Sequence, residues 1–171
     1  MQEMDGLAFY NAGKLAGASQ RHKHLQLIPL PFLPDVVHLP IELAIANTTC
    51  ANSHVTITSF PFRHAIAFLD LSPHHSPTAA AKIMLDNYLA LLNQVGLKVD
   101  SKTQQQPGAY NFLATKNWML IVPRSQESFQ NIPINSLGFA GSLFVRDRTS
   151  LELLKELTPL KLLTNVAFPT I

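Results

Sequence analysis

Hydrophobic and polar positions alternate with a period of two in several short stretches of this chain, and with helical spacing in one long stretch. Residues 7–10 and 22–28 read as paired strands on either side of a small-residue loop. Residues 54–59 and 64–71 alternate well enough to be strands, residues 110–115 and 118–122 read as a hairpin, and 137–145 as a further strand. Helical signals are of a different kind. Ser76-Pro77 offers a cap followed by proline in the first turn, the apolar stripe Met84, Tyr88, Leu91, Leu92 and Val95 follows, and Gly96 marks the stop. A short helix is expected at 41–47 within a proline-punctuated connector. Thr149-x-x-Glu152 reads as a capping box opening a short helix that Pro159 interrupts. The polar run 98–108 reads as an exposed loop. Strands and helices that do not alternate regularly point to an α+β domain.

Composition sharpens this picture in one respect. Of the 171 residues 47% are apolar and only 14% charged, where soluble domains carry about 25% charged residues. Missing charge is expected where surface is meant to be covered, so an interface is predicted, either in a homodimer or with a missing N-terminal part. A net charge of +2 without long Lys/Arg clusters argues against a general nucleic-acid binder. The single cysteine, Cys50, precludes an intramolecular disulfide framework and fits a reducing compartment. The first residues hold acids rather than an apolar core, and prolines 29, 31, 34 and 40 break the longest apolar stretches. A cytoplasmic protein without a membrane span is therefore expected.

The chemistry concentrates at His22-Lys23-His24-Leu25-Gln26, which follows the loop Gly13 to Gln20. On a strand, His22, His24 and Gln26 share one face and Leu25 and Leu27 the buried other face. Three readings of the histidines stand side by side. They are polar residues of a half-exposed strand; or two ligands of a metal, a site that Gln26 would complete poorly; or they serve covalent catalysis on phosphorus. In the last reading Gln26 donates its amide N–H to a phosphate oxygen, and the backbone donors of Gly17, Ala18 and Ser19 stabilise developing charge. The loop is not a P-loop, because Leu15 follows Gly13-Lys14 where serine or threonine would stand. Lys14, Arg21 and Lys23 add a local positive field. Arg124, just past a strand end, is a candidate phosphate contact. His74-His75 read as a polar loop ahead of a cap, and Trp118 as core.

The stretch Asn11-x-Gly13-x-x-x-Gly17-Ala18-Ser19-Gln20-x-His22-x-His24-x-Gln26 resembles the active-site signature of the ATP adenylyltransferases, also called diadenosine tetraphosphate phosphorylases, in the histidine-triad superfamily alongside galactose-1-phosphate uridylyltransferase. Phe60-Pro61-Phe62-Arg63-His64, residues 117–124 and residues 134–141 resemble blocks of that family's C-terminal half. The resemblance implies a histidine-triad-like antiparallel sheet with packed helices, one domain over 1–171, apparently lacking the family's N-terminal part. It implies phosphorolysis of diadenosine tetraphosphate to ATP and ADP, and the reverse adenylyl transfer. His24 would be the nucleophile carrying AMP and His22 would orient the site. Gln26 would favour phosphate over water as acceptor, and Asn11, Gly17, Ala18, Ser19 and Gln20 would meet the phosphates. Mg²⁺ would accompany the substrate polyphosphate, with no metal held by the protein. Arg21 departs from the family, which often has proline there. The alternative carried by the absent N-terminal part is a nucleotide-binding half-domain without turnover.

Overall fold

The computed structural model describes residues 5–32, 39–48, 54–72, 74–98 and 108–170. Its centre is a six-stranded antiparallel sheet. In chain order the strands are β1 (Gly6–Ala12), β2 (Leu25–Pro29), β3 (His54–Val55), β4 (Ala65–Phe68), β5 (Tyr110–Ala114) and β6 (Trp118–Pro123). In space they run β2-β1-β5-β6-β4-β3. The helices are α1 (Pro40–Ala46), α2 (Pro77–Gln94), α3 (Ser136–Ala140), α4 (Arg148–Leu157) and α5 (Pro159–Val166), and a two-stranded ribbon β7 (Ser128–Phe129) and β8 (Ile132–Pro133) precedes α3.

Side-chain alternation divides the sheet into two faces, each with its own core. Leu7, Phe9, Leu113, Leu120, Val122 and Ile66 face α1, α3, α4 and α5. The opposite face is built from small residues, Ala8, Ala12, Ala65, Ala67 and Ala114, with Phe112, Met119 and Ile121, and α2 lays Leu91, Leu92 and Val95 onto it. The central strands β5 and β6 are buried on both faces, as expected of strands packed between two layers. The predicted stripe on α2 is core as expected: Met84 and Tyr88 pack against the same cluster. Ser76 caps that helix, its Oγ accepting from Ala79 N at 3.2 Å.

Several local expectations need correction. Strand β2 begins at Leu25, not at residue 22, and its last rung pairs Leu25 with Tyr10. Leu25 and Leu27 are not buried but 64% and 47% exposed, because β2 is an edge strand and α2 makes its sheet contacts with β4 and β6 instead. Residues 137–145 do not form a strand. Asn135 Oδ1 accepts from Leu137 N at 3.0 Å to start α3, and Gly141, left-handed at φ 103°, ends it. The cap of α4 is Asp147 rather than Thr149, with Oδ1 accepting from Ser150 N at 2.7 Å, and Pro159 opens α5 rather than merely interrupting a helix. The strands expected at 54–59 and 64–71 shorten to β3 and β4. Residues 99–107 and Cys50 lie outside the described residues.

Gly141 carries a testable consequence. A Cβ there would meet Pro40 Cγ at 2.7 Å, and the positive φ disfavours any side chain. Gly141→Ala is expected to cost roughly 2–3 kcal/mol, read as a shift of the urea midpoint at unchanged m-value.

His64 is a second structural device. It is buried, and its two ring nitrogens have opposite roles: Nδ1 donates to Phe62 O at 2.7 Å, and Nε2 accepts from Ile57 N at 2.7 Å. Only the neutral ring can do both. Burial pushes its pKa below the usual histidine value, against the smaller opposing pull of the Phe62 carbonyl. With the folded pKa lowered, His64 contributes stability that is present above the unfolded pKa of about 6.5 and is lost as pH falls toward the folded pKa. Urea unfolding at pH 7.5 and 5.5 is expected to show lower stability at the acid value, and His64→Gln is expected to remove part of that difference.

Candidate active site

The loop between β1 and β2 is built from inside outward. Asn11, next to last in β1, lies on the face that carries Leu7 and Phe9, and in register it pairs with Asn111 of β5. Gly13 and Gly17, both at φ 83°, bracket a single 3₁₀ turn, Lys14–Ala16. At Gly17 a Cβ would lie 2.8 Å from Ile134 O and 3.2 Å from Asn135 Cβ, so glycine is required both by the backbone and by the close approach of the segment before α3.

Polar groups anchor this loop from beneath. Asn11 Oδ1 accepts from Ser136 N at 2.8 Å and from Asn111 Nδ2 at 2.8 Å. Asn111 Nδ2 also donates to Ala16 O at 2.9 Å, and Ser136 Oγ donates to Tyr10 O at 2.9 Å. Arg124 lies under the whole group and is 1% exposed. Its Nη1 donates to Asn111 Oδ1 and Ile134 O, its Nη2 to Gln126 O and Glu127 O, and its Nε to Val166 O. All five N–H groups are thus spent on the protein. This corrects the expectation of Arg124 at a phosphate: it is a buried clamp. Burial pushes its pKa down to about 10, against the raising influence of Glu127, which still leaves it charged at neutral pH.

The backbone donors are also partly committed. Gly17 N donates to Lys14 O at 2.9 Å and Ala18 N to Gly13 O at 3.2 Å, so these two amides hold the turn rather than pointing as a pair toward a ligand. Ser19 and Gln20 are exposed beyond them.

His22, His24 and Gln26 are all exposed. The histidines sit just ahead of β2, with ring centroids 6.1 Å apart and planes at 81°. Gln26 stands opposite Phe9 in the ladder. His24 directly precedes Leu25, which pairs with Tyr10 in the last rung. The structure therefore gathers Asn11, the Gly13–Gln20 loop, His24 and Gln26 at one end of β1 and β2. Beside Gly17 opens a cleft of about 170 Å³, lined by Glu127, Pro133, Asn135, Ser142, Leu143 and Phe144 among others. A larger one of about 450 Å³, between Asp5, Leu30, Glu42 and Lys116, lies at the opposite end of the same strands. Among the described residues no group of three or more His, Cys, Asp or Glu gathers as a metal site, and no helix is long and apolar enough to cross a membrane.

Sequence patterns alone miss the supporting side chains Asn111 and Ser136, and misplace Arg124. One signal for Asn111 is available: an asparagine inside the apolar run Tyr110-Asn111-Phe112-Leu113 must find partners if that run is a buried strand.

Known proteins are similar to this chain over most of its length. The family model described as ATP adenylyltransferase C-terminal domain matches residues 58–169, and that described as Ap4A phosphorylase N-terminal domain matches residues 1–47. The loop and histidines thus fall in one match, and Asn111, Arg124 and Ser136 in the other. Diadenosine 5',5'''-P1,P4-tetraphosphate phosphorylase 2 of Saccharomyces cerevisiae is 30% identical over 162 residues, 88% of this chain and 48% of the yeast protein. Protein APA1 of the same yeast is 24% identical over 82% of this chain and 45% of its own length. The crystal structure of yeast Ap4A phosphorylase Apa2 in complex with Ap4A matches 98% of this chain and 56% of its own, with a TM-score of 0.72 at 28% identity. Its complex with AMP matches with a TM-score of 0.66 at 29% identity, over 98% of this chain and 57% of its own. The chain spans about half the length of the curated relatives it matches.

Proposed function

We infer, for a chain that belongs to the ATP adenylyltransferase family, that it is a nucleotidyltransferase acting on dinucleoside polyphosphates. The observation that carries this reading is the anchored Asn11–Gly17 loop standing beside His24 and Gln26, in a chain similar to a yeast phosphorylase whose crystal structures hold Ap4A and AMP.

The reaction proposed has two displacements. A ring nitrogen of His24 attacks the α-phosphorus of diadenosine tetraphosphate, the bond from that phosphorus to the bridging oxygen breaks, and ATP leaves. The adenylyl group is then held on the imidazole. An oxygen of inorganic phosphate attacks the same phosphorus, the P–N bond breaks, and ADP departs with His24 restored. The reverse sequence makes the dinucleotide from ATP and ADP. Splitting one transfer into two is the advantage of a nucleophile, and a polyphosphate leaving group needs little protonation. Asn11 contributes Nδ2 donors, Gln26 an uncharged amide, and Ser19 and Gln20 the outer part of the loop. His22 holds the neighbouring position against His24. Mg²⁺ enters on the polyphosphate as part of the substrate. The cleft beside Gly17, with Phe144 as an aromatic wall, takes a nucleoside.

Chromatography of nucleotides after incubation with diadenosine tetraphosphate, Mg²⁺ and phosphate tests this reading. Equal amounts of ATP and ADP are expected. AMP in place of ADP would make water the acceptor and overturn the role given to Gln26. Nucleotide binding by calorimetry without products would leave a non-catalytic nucleotide-binding half-domain.

A further inference from the structure

We propose that Asn111 is a positioning residue for this transfer, one that fixes which end of the Asn11 carboxamide faces the phosphates. The proposal rests on the adenylyl-transfer reading for its kinetic consequence, and on geometry alone for the rest.

The orientation of both amides follows from partners whose polarity is not in question. Asn11 Oδ1 receives a backbone N–H, that of Ser136. Asn111 faces a guanidinium donor on its Oδ1 side, Arg124 Nη1, and a carbonyl acceptor on its Nδ2 side, Ala16 O. Neither amide can be reversed without setting donor against donor. The Asn111 amide protons therefore point at Asn11 Oδ1, Ala16 O and Ser136 Oγ. Ser136 N, Ser136 Oγ and Asn111 Nδ2 all lie within 2.8 Å of Asn11 Oδ1 as donors, so its Nδ2 is the end left to meet a ligand. The sign matters: outward N–H groups attract a phosphate oxygen, whereas an outward carbonyl would repel it. The same Asn111 amide holds Ala16 O and so fixes the turn from which Gly17 to Gln20 emerge. Asn111 itself is 0% exposed and touches no substrate.

Asn111→Asp tests this with an isosteric change. The carboxylate keeps its contact with Arg124 but presents an acceptor to Asn11 Oδ1 and to Ala16 O. Asn11 Oδ1 is then repelled by the carboxylate, while turning its Nδ2 inward sets that amide against Ser136 N, so the outward N–H groups lose their fixed orientation. The full chain is expected to fold cooperatively, with kcat lower by about 100-fold, the size of a lost oxyanion donor, and KM changed much less. In an Asn11→Ala background the same substitution is expected to lower kcat by less than about 3-fold, since its target is gone. An arm independent of turnover uses ¹⁵N-labelled protein and AMP. The Asn11 side-chain amide resonances should move on titration in the wild type and stay still in Asn111→Asp. Should Asn111→Asp unfold, Asn111→Ser takes its place in the same assays.

Equal losses from Asn111→Asp with and without Asn11 would overturn the proposal, as would Asn11 resonances that ignore AMP in the wild type or respond equally in the variant. A wild type that binds AMP through Asn11 but makes no ATP or ADP sinks the transfer reading while leaving this positioning role standing.

Discussion

Arg124→Leu is expected to lower stability by about 3–5 kcal/mol, the range seen when a buried charged group is removed from its partners. The reason is local. Five acceptors surround the guanidinium: four carbonyl oxygens, from Val166, Ile134, Gln126 and Glu127, and Asn111 Oδ1. Leucine fills some of the volume and satisfies none of them. Arg124→Lys is expected to recover only part of the loss, because an ammonium on a flexible stem cannot present donors in a planar fork. The substitution reaches the site as well. Arg124 Nη1 orients Asn111, which orients Asn11, so the leucine variant should lose turnover even where it remains folded. Urea unfolding of the three proteins decides the matter, and a leucine variant within 1 kcal/mol of wild type would contradict the clamp.

The second large effect concerns chemistry rather than folding. His24 is exposed and outside the core, so His24→Ala is expected to leave the unfolding midpoint essentially unchanged. Turnover should fall by ~10⁴-fold or more, as when a nucleophile is removed. His22→Ala should fall by less, roughly 10²-fold, because a neighbour that orients the nucleophile is lost but the nucleophile is kept. Steady-state rates of ATP release from diadenosine tetraphosphate, measured beside urea curves, separate these outcomes. Equal losses for the two variants would remove the distinction drawn between them.

The contrast between these two residues shows what a sequence carries and what it does not. The histidine motif was legible because its residues are neighbours in the chain, and the loop before it announces itself by glycines. Helix α2 was legible for the same reason: its cap, its stripe and its stop lie within one stretch. The strand expected at 22–28 is shorter in the structure, where it begins at Leu25. Alternation describes pairing only while a partner strand is present, and β1 pairs with β2 only through Tyr10. The run 137–145 is apolar enough to be either element. The two residues that decide it, Asn135 and Gly141, are caps whose meaning depends on Pro40 and the segment before α3. The burial expected for Leu25 and Leu27 assumed a covered sheet, whereas the structure puts them on an edge strand.

Arg124 is the sharpest case. Placed after a strand, an arginine reads as a surface group ready for an anion. Its actual partners include Val166, 42 residues on, and Asn111 on the neighbouring strand, and no periodicity links them. The same holds for the anchoring of Asn11 by Asn111 and Ser136, across about a hundred residues or more of chain. The motif names the residues proposed to meet the ligand, while the fold supplies those that hold them.

The reaction proposed above places the adenylyl group on His24. Intact-protein mass spectrometry, after incubation with diadenosine tetraphosphate and Mg²⁺ without phosphate, tests it most directly. A mass increase of one adenylyl group is expected on the wild type, lost on adding phosphate and missing in His24→Ala. An unmodified wild type that binds the dinucleotide, or an adduct that persists in His24→Ala, would contradict it.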